Sequence, residues 1–278
     1  MASFLYQHGR QPKIYIDLPS KGKYYDETVI QDQQYTEIPV FGMNTMDELM
    51  LKTPDALFSG EATASIIKSC IPHIKDPWRI VSFDLDHLLI AIRIATSGET
   101  LEFTTSCTHC ATESDYTVNI VDWLDIFRNK NLVFEHTIKG LQVILKPLNY
   151  RTATEHAKEI YKIQREFQTL NLSQQTADSE QRLTQLNKMM NSLNLEMTIS
   201  HVAAISNTEE IEKDNSIIAE FLKNTEADFY KQLSTHVKDM NNQWTLPSLK
   251  LKCINPECDK QFEKAMNMDY SSFFVKIS

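Results

Sequence analysis

The sequence predicts an α+β protein, mainly helical, with short β-hairpins that form a ribbon interrupted by a long helical insertion. Three observations carry this. Two short cysteine pairs, Cys107-Thr-His-Cys110 and Cys253-Ile-Asn-Pro-Glu-Cys258, each lie between stretches that alternate apolar and polar residues, as the two strands of a hairpin do. Apolar residues recur at three- and four-residue steps in long segments before the first pair and between the pairs. Residues 111–252 separate the two pairs, so the halves of any shared site are far apart in the chain.

Each pair has the spacing of a metal-binding knuckle, in which a tight turn aims two sulfurs at one point. Together they supply four soft ligands, the Cys₄ set that a tetrahedral Zn²⁺ accepts without leaving a position for water. Cys107, Cys110, Cys253 and Cys258 are therefore the expected metal ligands, and the site is a structural one. Metal-free thiols and disulfides are the alternatives. Met1-Ala-Ser-Phe-Leu-Tyr-Gln-His lacks a basic segment followed by an apolar run, so the chain is expected to stay in a reducing compartment, which favours zinc thiolate.

Residues 1–40 read as an N-terminal strand or arm segment. Pro12, Pro19 and Pro39 interrupt any helix, Lys13-Ile-Tyr-Ile-Asp-Leu reads as a strand and Gly22 marks a turn. An edge hairpin is favoured over an arm that pairs with another subunit. Residues 41–100 read as a helical core. Thr45-Met-Asp-Glu48 is a capping box for a helix through Leu51, ended by Pro54, and a second helix is expected over residues 60–70, closed by Pro72. A third, over residues 84–96, is acidic in its first turn and stops before Gly98. Leu85, Leu88, Leu89, Ile92 and Ala95 recur at helical spacing while Ile90 and Ile94 make other faces apolar, which puts this helix at the centre of a layer. Within it Arg93 is expected to snorkel or to pair with Asp86 or Glu61, and His87 to lie at the surface or in helix packing. Cys70 reads as a buried thiol rather than a ligand.

Residues 101–120 and 246–268 read as the two halves of the ribbon, with 121–245 as a hairpin and helical insertion and 269–278 as a C-terminal segment. The insertion begins with a short helix over 121–127 and two strands, 135–138 and 141–145, turning at Lys139-Gly140. Thr152-Ala-Thr-Glu155 is a second capping box, opening a helix to about residue 170, and the polar stretch 171–178 reads as a linker. A helix over 179–201 carries Leu183, Leu186, Met190, Leu193 and Met197 as one apolar stripe. That stripe is too short for a sustained coiled coil and is expected to pack within the chain. Helices over 215–223 and 225–240 complete the insertion.

Several of these segments carry a resemblance. Phe41-Gly-Met-Asn-Thr-Met-Asp-Glu-Leu-Met-Leu-Lys-Thr-Pro-Asp-Ala-Leu-Phe-Ser-Gly-Glu-Ala, Ile67-Lys-Ser-Cys-Ile-Pro, Ile74-Lys-Asp-Pro and Asp84-Leu-Asp-His-Leu-Leu-Ile-Ala-Ile-Arg-Ile-Ala-Thr resemble the baseplate hub protein family of T-even-type contractile-tailed bacteriophages. The two cysteine pairs and Asp269-Tyr-Ser-Ser-Phe-Phe fit the same pattern, which runs from about residue 36 onward. The family often has Cys-Pro-x-Cys-Gly at a knuckle where this chain has Cys-Thr-His-Cys-Ala, a change in the turn but not in the ligands. The resemblance implies a non-enzymatic phage protein needed to build the baseplate hub. Its partners would be other hub and tail proteins, and its place the virion tail baseplate, the host cytoplasm during assembly, or both.

Composition bears on the other function classes. The net charge is −9 with acidic residues spread along the chain, whereas a nucleic-acid-binding ribbon displays clustered Lys and Arg. Around the second pair Lys250, Lys252, Lys260 and Lys264 are offset by Glu257, Asp259 and Glu263, so an adaptor for nucleic acid or a polymerase is the second reading. No stretch approaches a membrane span. No glycine-rich phosphate loop, His-Glu-x-x-His or nucleophile elbow occurs, and the paired carboxylates Asp47/Glu48, Asp84/Asp86 and Glu209/Glu210 fit helix starts, so no catalytic residue is assigned.

Overall fold

A computed structural model describes residues 9–128, 133–171, 177–246 and 248–266. The fold is α+β, helices with small antiparallel sheets, and it divides into two compact units, residues 1–130 with 245–278 and residues 131–244. Among the described residues no helix is long and apolar enough to cross a membrane. The expected C-terminal segment 269–278 and most of the expected linker 171–178 lie outside the described residues.

In the first unit, β1 (Pro12–Ile16) pairs antiparallel with β2 (Ile38–Phe41), in register at Ile16 and Ile38. Four helices follow: α1 (Thr45–Leu51), α2 (Pro54–Ser59), α3 (Glu61–Cys70) and α4 (Ser82–Ser97). Twelve of the sixteen residues of α4 are buried, Ser82, Asp86, Thr96 and Ser97 being the partly exposed ones, because its apolar residues spread over more than one face and must be covered on several sides. It packs on β1, β2, α3 and, beyond the first ribbon hairpin, α5 (Val121–Arg128). Leu88, Leu89, Ile90 and Ile92 are fully buried, and each such side chain stabilises the fold by about 1.5–3 kcal/mol. Gly42 lets β2 approach this helix closely, because a Cβ there would stand 2.8 Å from the Ala95 carbonyl oxygen.

Polar groups lock the loops to this core. Asp84 is fully buried at the start of α4 and accepts from the Ser20 N–H at 2.9 Å and the Tyr25 hydroxyl at 2.6 Å. Tyr25 in turn accepts from the Val81 N–H, so the long connection between β1 and β2 is tied across the helix start. Burial pushes the Asp84 carboxyl up to about 6, against the pull of its donors in Ser20 and Tyr25.

Both expected capping boxes are displaced by asparagine. The N-cap of α1 is Asn44, not Thr45, and the reciprocal partner is Asp47, not Glu48: Asn44 Oδ1 accepts from the Asp47 N–H while Asp47 Oδ2 accepts from the Asn44 N–H, both at 2.9 Å. Asp47 also accepts from the Ser69 hydroxyl at 2.9 Å, which joins α1 to α3. Likewise α6 (Tyr150–Asn171) is capped by Asn149, whose Oδ1 accepts from the Thr152 N–H, rather than by a Thr152–Glu155 box. An asparagine side chain caps as well as a threonine, and here it sits where the chain first turns. Pro54 does not merely end α1; it opens α2, at the first-turn position where a missing N–H costs nothing.

Arg93 does not snorkel. It is 4% exposed, burial holds its guanidinium below the usual range, and the Glu102 charge acts the other way. His87 is fully buried, within helix packing, and Cys70 is a buried thiol pushed up to about 12 by burial and the Asp47 charge.

The second unit is built on a four-stranded antiparallel sheet in the order β5 (Glu135–Ile138), β6 (Leu141–Leu145), β7 (Val202–Ser206), β8 (Ile211–Glu212). The β5–β6 turn falls at Lys139-Gly140, both with positive φ, as a two-residue hairpin requires. The helices α6 and α7 (Ala177–Ser200) run between β6 and β7. Their apolar faces meet: Leu186 and Leu193 of α7 bury against Ile163, flanked by Ile160, Phe167, Met190 and Met197, so the stripe packs within the chain as expected. The helices α8 (Asn215–Asn224) and α9 (Ala227–Asn242) complete the unit. The sequence pattern predicts neither β7 nor β8; Val202-Ala-Ala-Ile-Ser alternates too weakly to read as a strand, and β8 is two residues long.

Candidate metal centre

The cysteine pairs sit at the tips of two hairpins in the first unit. The first hairpin joins β3 (Thr100–Ser106) to β4 (Glu113–Asn119) in unbroken register from Thr100 opposite Asn119 to Ser106 opposite Glu113. The second joins β9 (Leu249–Lys252) to β10 (Gln261–Lys264). Leu101, Thr105, Leu251 and Phe262 are buried while their neighbours along the strands face out, the period of two that the sequence shows.

Backbone hydrogen bonds shape each tip. In the first, the Ala111 N–H donates to the Cys107 carbonyl and the Cys107 N–H to the Thr112 carbonyl, both at 2.9 Å, while the His109 N–H points at Cys107 Sγ from 3.4 Å. In the second, the Cys258 and Asp259 N–H groups both donate to the Asn255 carbonyl at 3.0 Å, and the Cys253 N–H donates to the Lys260 carbonyl at 2.9 Å. The residue after the second cysteine is left-handed in both tips, Ala111 with φ +58° and Asp259 with φ +46°.

The tips bring all four cysteines together. Their sulfurs lie within 4.8 Å of one another, with Cys110 and Cys253 at 3.6 Å and Cys107 and Cys258 at 4.0 Å. A tetrahedral ion with sulfur ligands at about 2.3 Å sets those sulfurs about 3.8 Å apart, so the group has the size of such a site. All five cysteines are free thiols, and Cys70 is not part of the group. What the arrangement offers chemically is four soft ligands able to hold a metal ion.

A chain that places these residues has a known kind of relative. A family model described as T4 bacteriophage base plate protein matches residues 12–275, which is most of the chain. The chain belongs to that family. A search of curated proteins and one of solved structures give no significant match. As a base plate family member the protein is a phage baseplate structural protein, associated with the virion tail and with other phage tail proteins.

Several side chains that the spacing does not reveal support the base plate protein's cysteine cluster. Leu251 and Phe262 bury against Cys107 and Cys253, with Phe103, Tyr116 and Leu249 packed around them. The Tyr116 ring meets the Phe262 ring edge-on at 6.0 Å, and its hydroxyl donates to the Lys252 carbonyl at 3.1 Å, joining the hairpins. Asn255 Nδ2 donates to Thr112 Oγ1 at 3.3 Å, and His109 Nε2 lies 3.1 Å from the Gln261 carbonyl oxygen, which engages the one histidine inside a knuckle. Thr112 Oγ1 also lies 3.2 Å from Cys110 Sγ, and this contact leads in drawing the thiol down to about 6. Burial pushes Cys253 up to about 12. A readable signal existed for part of this: Asn255-Pro256 is a turn-forming pair inside the second knuckle.

Proposed function

We propose that this base plate family member is a non-enzymatic structural or assembly part of the baseplate hub, acting through protein–protein contacts and stapled by one structural Zn²⁺ on Cys107, Cys110, Cys253 and Cys258. The observation that carries the metal is the convergence of four sulfurs from two distant hairpins. Zinc suits it because thiolate ligands are soft and four of them close the tetrahedron, leaving no position for a catalytic water. In this reading residues 101–120 and 246–268 are a zinc ribbon, and residues 121–245 are an insertion whose ends the metal ties together. The metal then closes a very long loop, so its binding free energy enters the stability of the fold.

The hub role rests on the resemblance of residues 41–96 together with the family match, and assembly is taken to begin in the host cytoplasm. An adaptor for nucleic acid finds less support. Lys252 pairs with Asp259 at 2.7 Å, so the ribbon's own charges are partly neutralised on its surface. Native mass spectrometry of the purified chain, alone and mixed with individual hub proteins of the same phage, tests the proposal. One zinc per chain and a stable complex with a hub protein are expected. Zinc without any hub complex would reinstate the adaptor, and a metal-free chain would remove the staple.

A further inference from the structure

The second unit contains an open cleft of about 700 Å³ lined by residues of α7, α8 and α9 and the turns that follow α7 and α8. Among its lining residues Thr198, His201, Leu222 and Val237 are buried, and Leu195 and Met197 add further apolar surface. Amides and hydroxyls share the wall, from Asn191, Asn194, Asn241, Thr225, Tyr230 and Ser234. Lys223 and Lys238, both exposed, are the charged lining residues.

The charge pattern is what distinguishes this cavity. The chain has 37 acidic residues against 28 Lys and Arg, yet no Asp or Glu lines the cavity. Among the described residues neither Lys223 nor Lys238 is in an ion pair. By contrast Lys139, in the same unit, is held by Glu226 and Asp228. His201 does not add charge: its Nδ1 lies 3.0 Å from the Lys146 carbonyl, its Nε2 faces Asn241 at 3.5 Å, and burial holds it below the usual range. The result is a cleft in which buried Leu222 and Val237 lie beside neutral hydrogen-bonding groups, with two cations that are in no ion pair among the described residues.

We propose that this cleft is a docking site for an acidic segment of a partner protein, whose carboxylates face Lys223 and Lys238 while an apolar side chain enters over Leu222 and Val237. Apolar anchoring with charge complementarity at the rim is how such clefts gain affinity and select partners. Volume fits this occupant: about 700 Å³ holds a few side chains, not a folded element. The proposal rests on the protein–protein role above and names the chemistry of one partner.

A fluorescein-labelled dodecapeptide of alternating Glu and Leu, titrated by fluorescence polarisation against the full chain, is the test, with a Gln-and-Leu peptide and free succinate as controls. The Glu peptide is expected to bind saturably, and the Gln peptide at least about tenfold more weakly. Lys223→Glu combined with Lys238→Glu should weaken the Glu peptide by about tenfold or more, and the corresponding double Gln variant by less. Zinc content and thermal midpoint should stay at wild-type values in both variants, which shows that they fold. No saturable binding, equal binding of the two peptides, or equal binding by wild type and variants would overturn the proposal. Displacement of the peptide by equimolar succinate would also overturn it, reassigning the cleft to small anions. Native mass spectrometry with hub proteins separates the two levels: a hub complex that survives in the variants sinks the cleft but leaves the hub role, whereas no complex with wild type sinks the hub role.

Discussion

At the residue scale, the left-handed backbone at the hairpin tips should cost stability wherever a side chain occupies it. Ala111 holds φ +58° where glycine would be unstrained, so Ala111→Gly should stabilise the protein by about 0.5–1 kcal/mol and, if the knuckles hold zinc, slow its loss to a chelator. A thermal scan with and without chelator checks both. Asp84 makes a second prediction. Its carboxyl is raised to about 6 when folded against an ordinary 3.8, so the folded state holds the proton more tightly. The stability it contributes is fully present below pH 3.8 and is lost as pH rises through about 6. Asp84→Asn removes this titration, so urea midpoints should show the variant gaining on wild type by about 2–3 kcal/mol between pH 4 and 7.5. A difference that does not change with pH would contradict the burial argument. The cysteine positions were legible because spacing alone encodes a knuckle. Asn44 and Asn149 were not, because Thr45 and Thr152 lie one and three residues further on in equally good capping patterns and only the backbone path decides which side chain turns inward.

At the element scale, periodicity located what it measures. The α4 stretch is legible because Leu85, Leu88, Leu89 and Ile92 repeat at helical spacing, and α7 because Leu186, Met190, Leu193 and Met197 do. The strand β7 stayed hidden because its two alanines give little alternation; its partner β6, already signalled by Leu141–Leu145, supplies the pairing. Of the two places the pattern leaves for Arg93, reaching water or pairing within the chain, the first is excluded because the residue is 4% exposed in a helix most of whose residues are buried. The α6–α7 pairing gives a direct prediction: Leu186 is fully buried against Ile163, so Leu186→Ala should cost about 2–5 kcal/mol. Hydrogen exchange should show the loss in residues 150–200, and zinc content should not change. At Gly42 the Cβ of an alanine would press on the Ala95 carbonyl at 2.8 Å, so Gly42→Ala should lower the melting temperature by separating β2 from α4.

At the scale of the whole molecule, the chain leaves the first compact unit after one knuckle, forms the second, and returns to the first before the other knuckle. If zinc staples those knuckles, Cys107→Ser should release the metal and make residues 105–120 and 249–264 sensitive to protease. The cleft among α7, α8 and α9 leaves no mark in the sequence, since its lining is drawn from three helices far apart in the chain and no local pattern unites them. The central claim is that the four sulfurs form one closed metal site. X-ray absorption at the zinc edge on the purified protein tests it most directly. Four sulfur neighbours at about 2.3 Å and no nitrogen or oxygen are expected. An open coordination position, a nitrogen ligand, or protein purified with no zinc would contradict it.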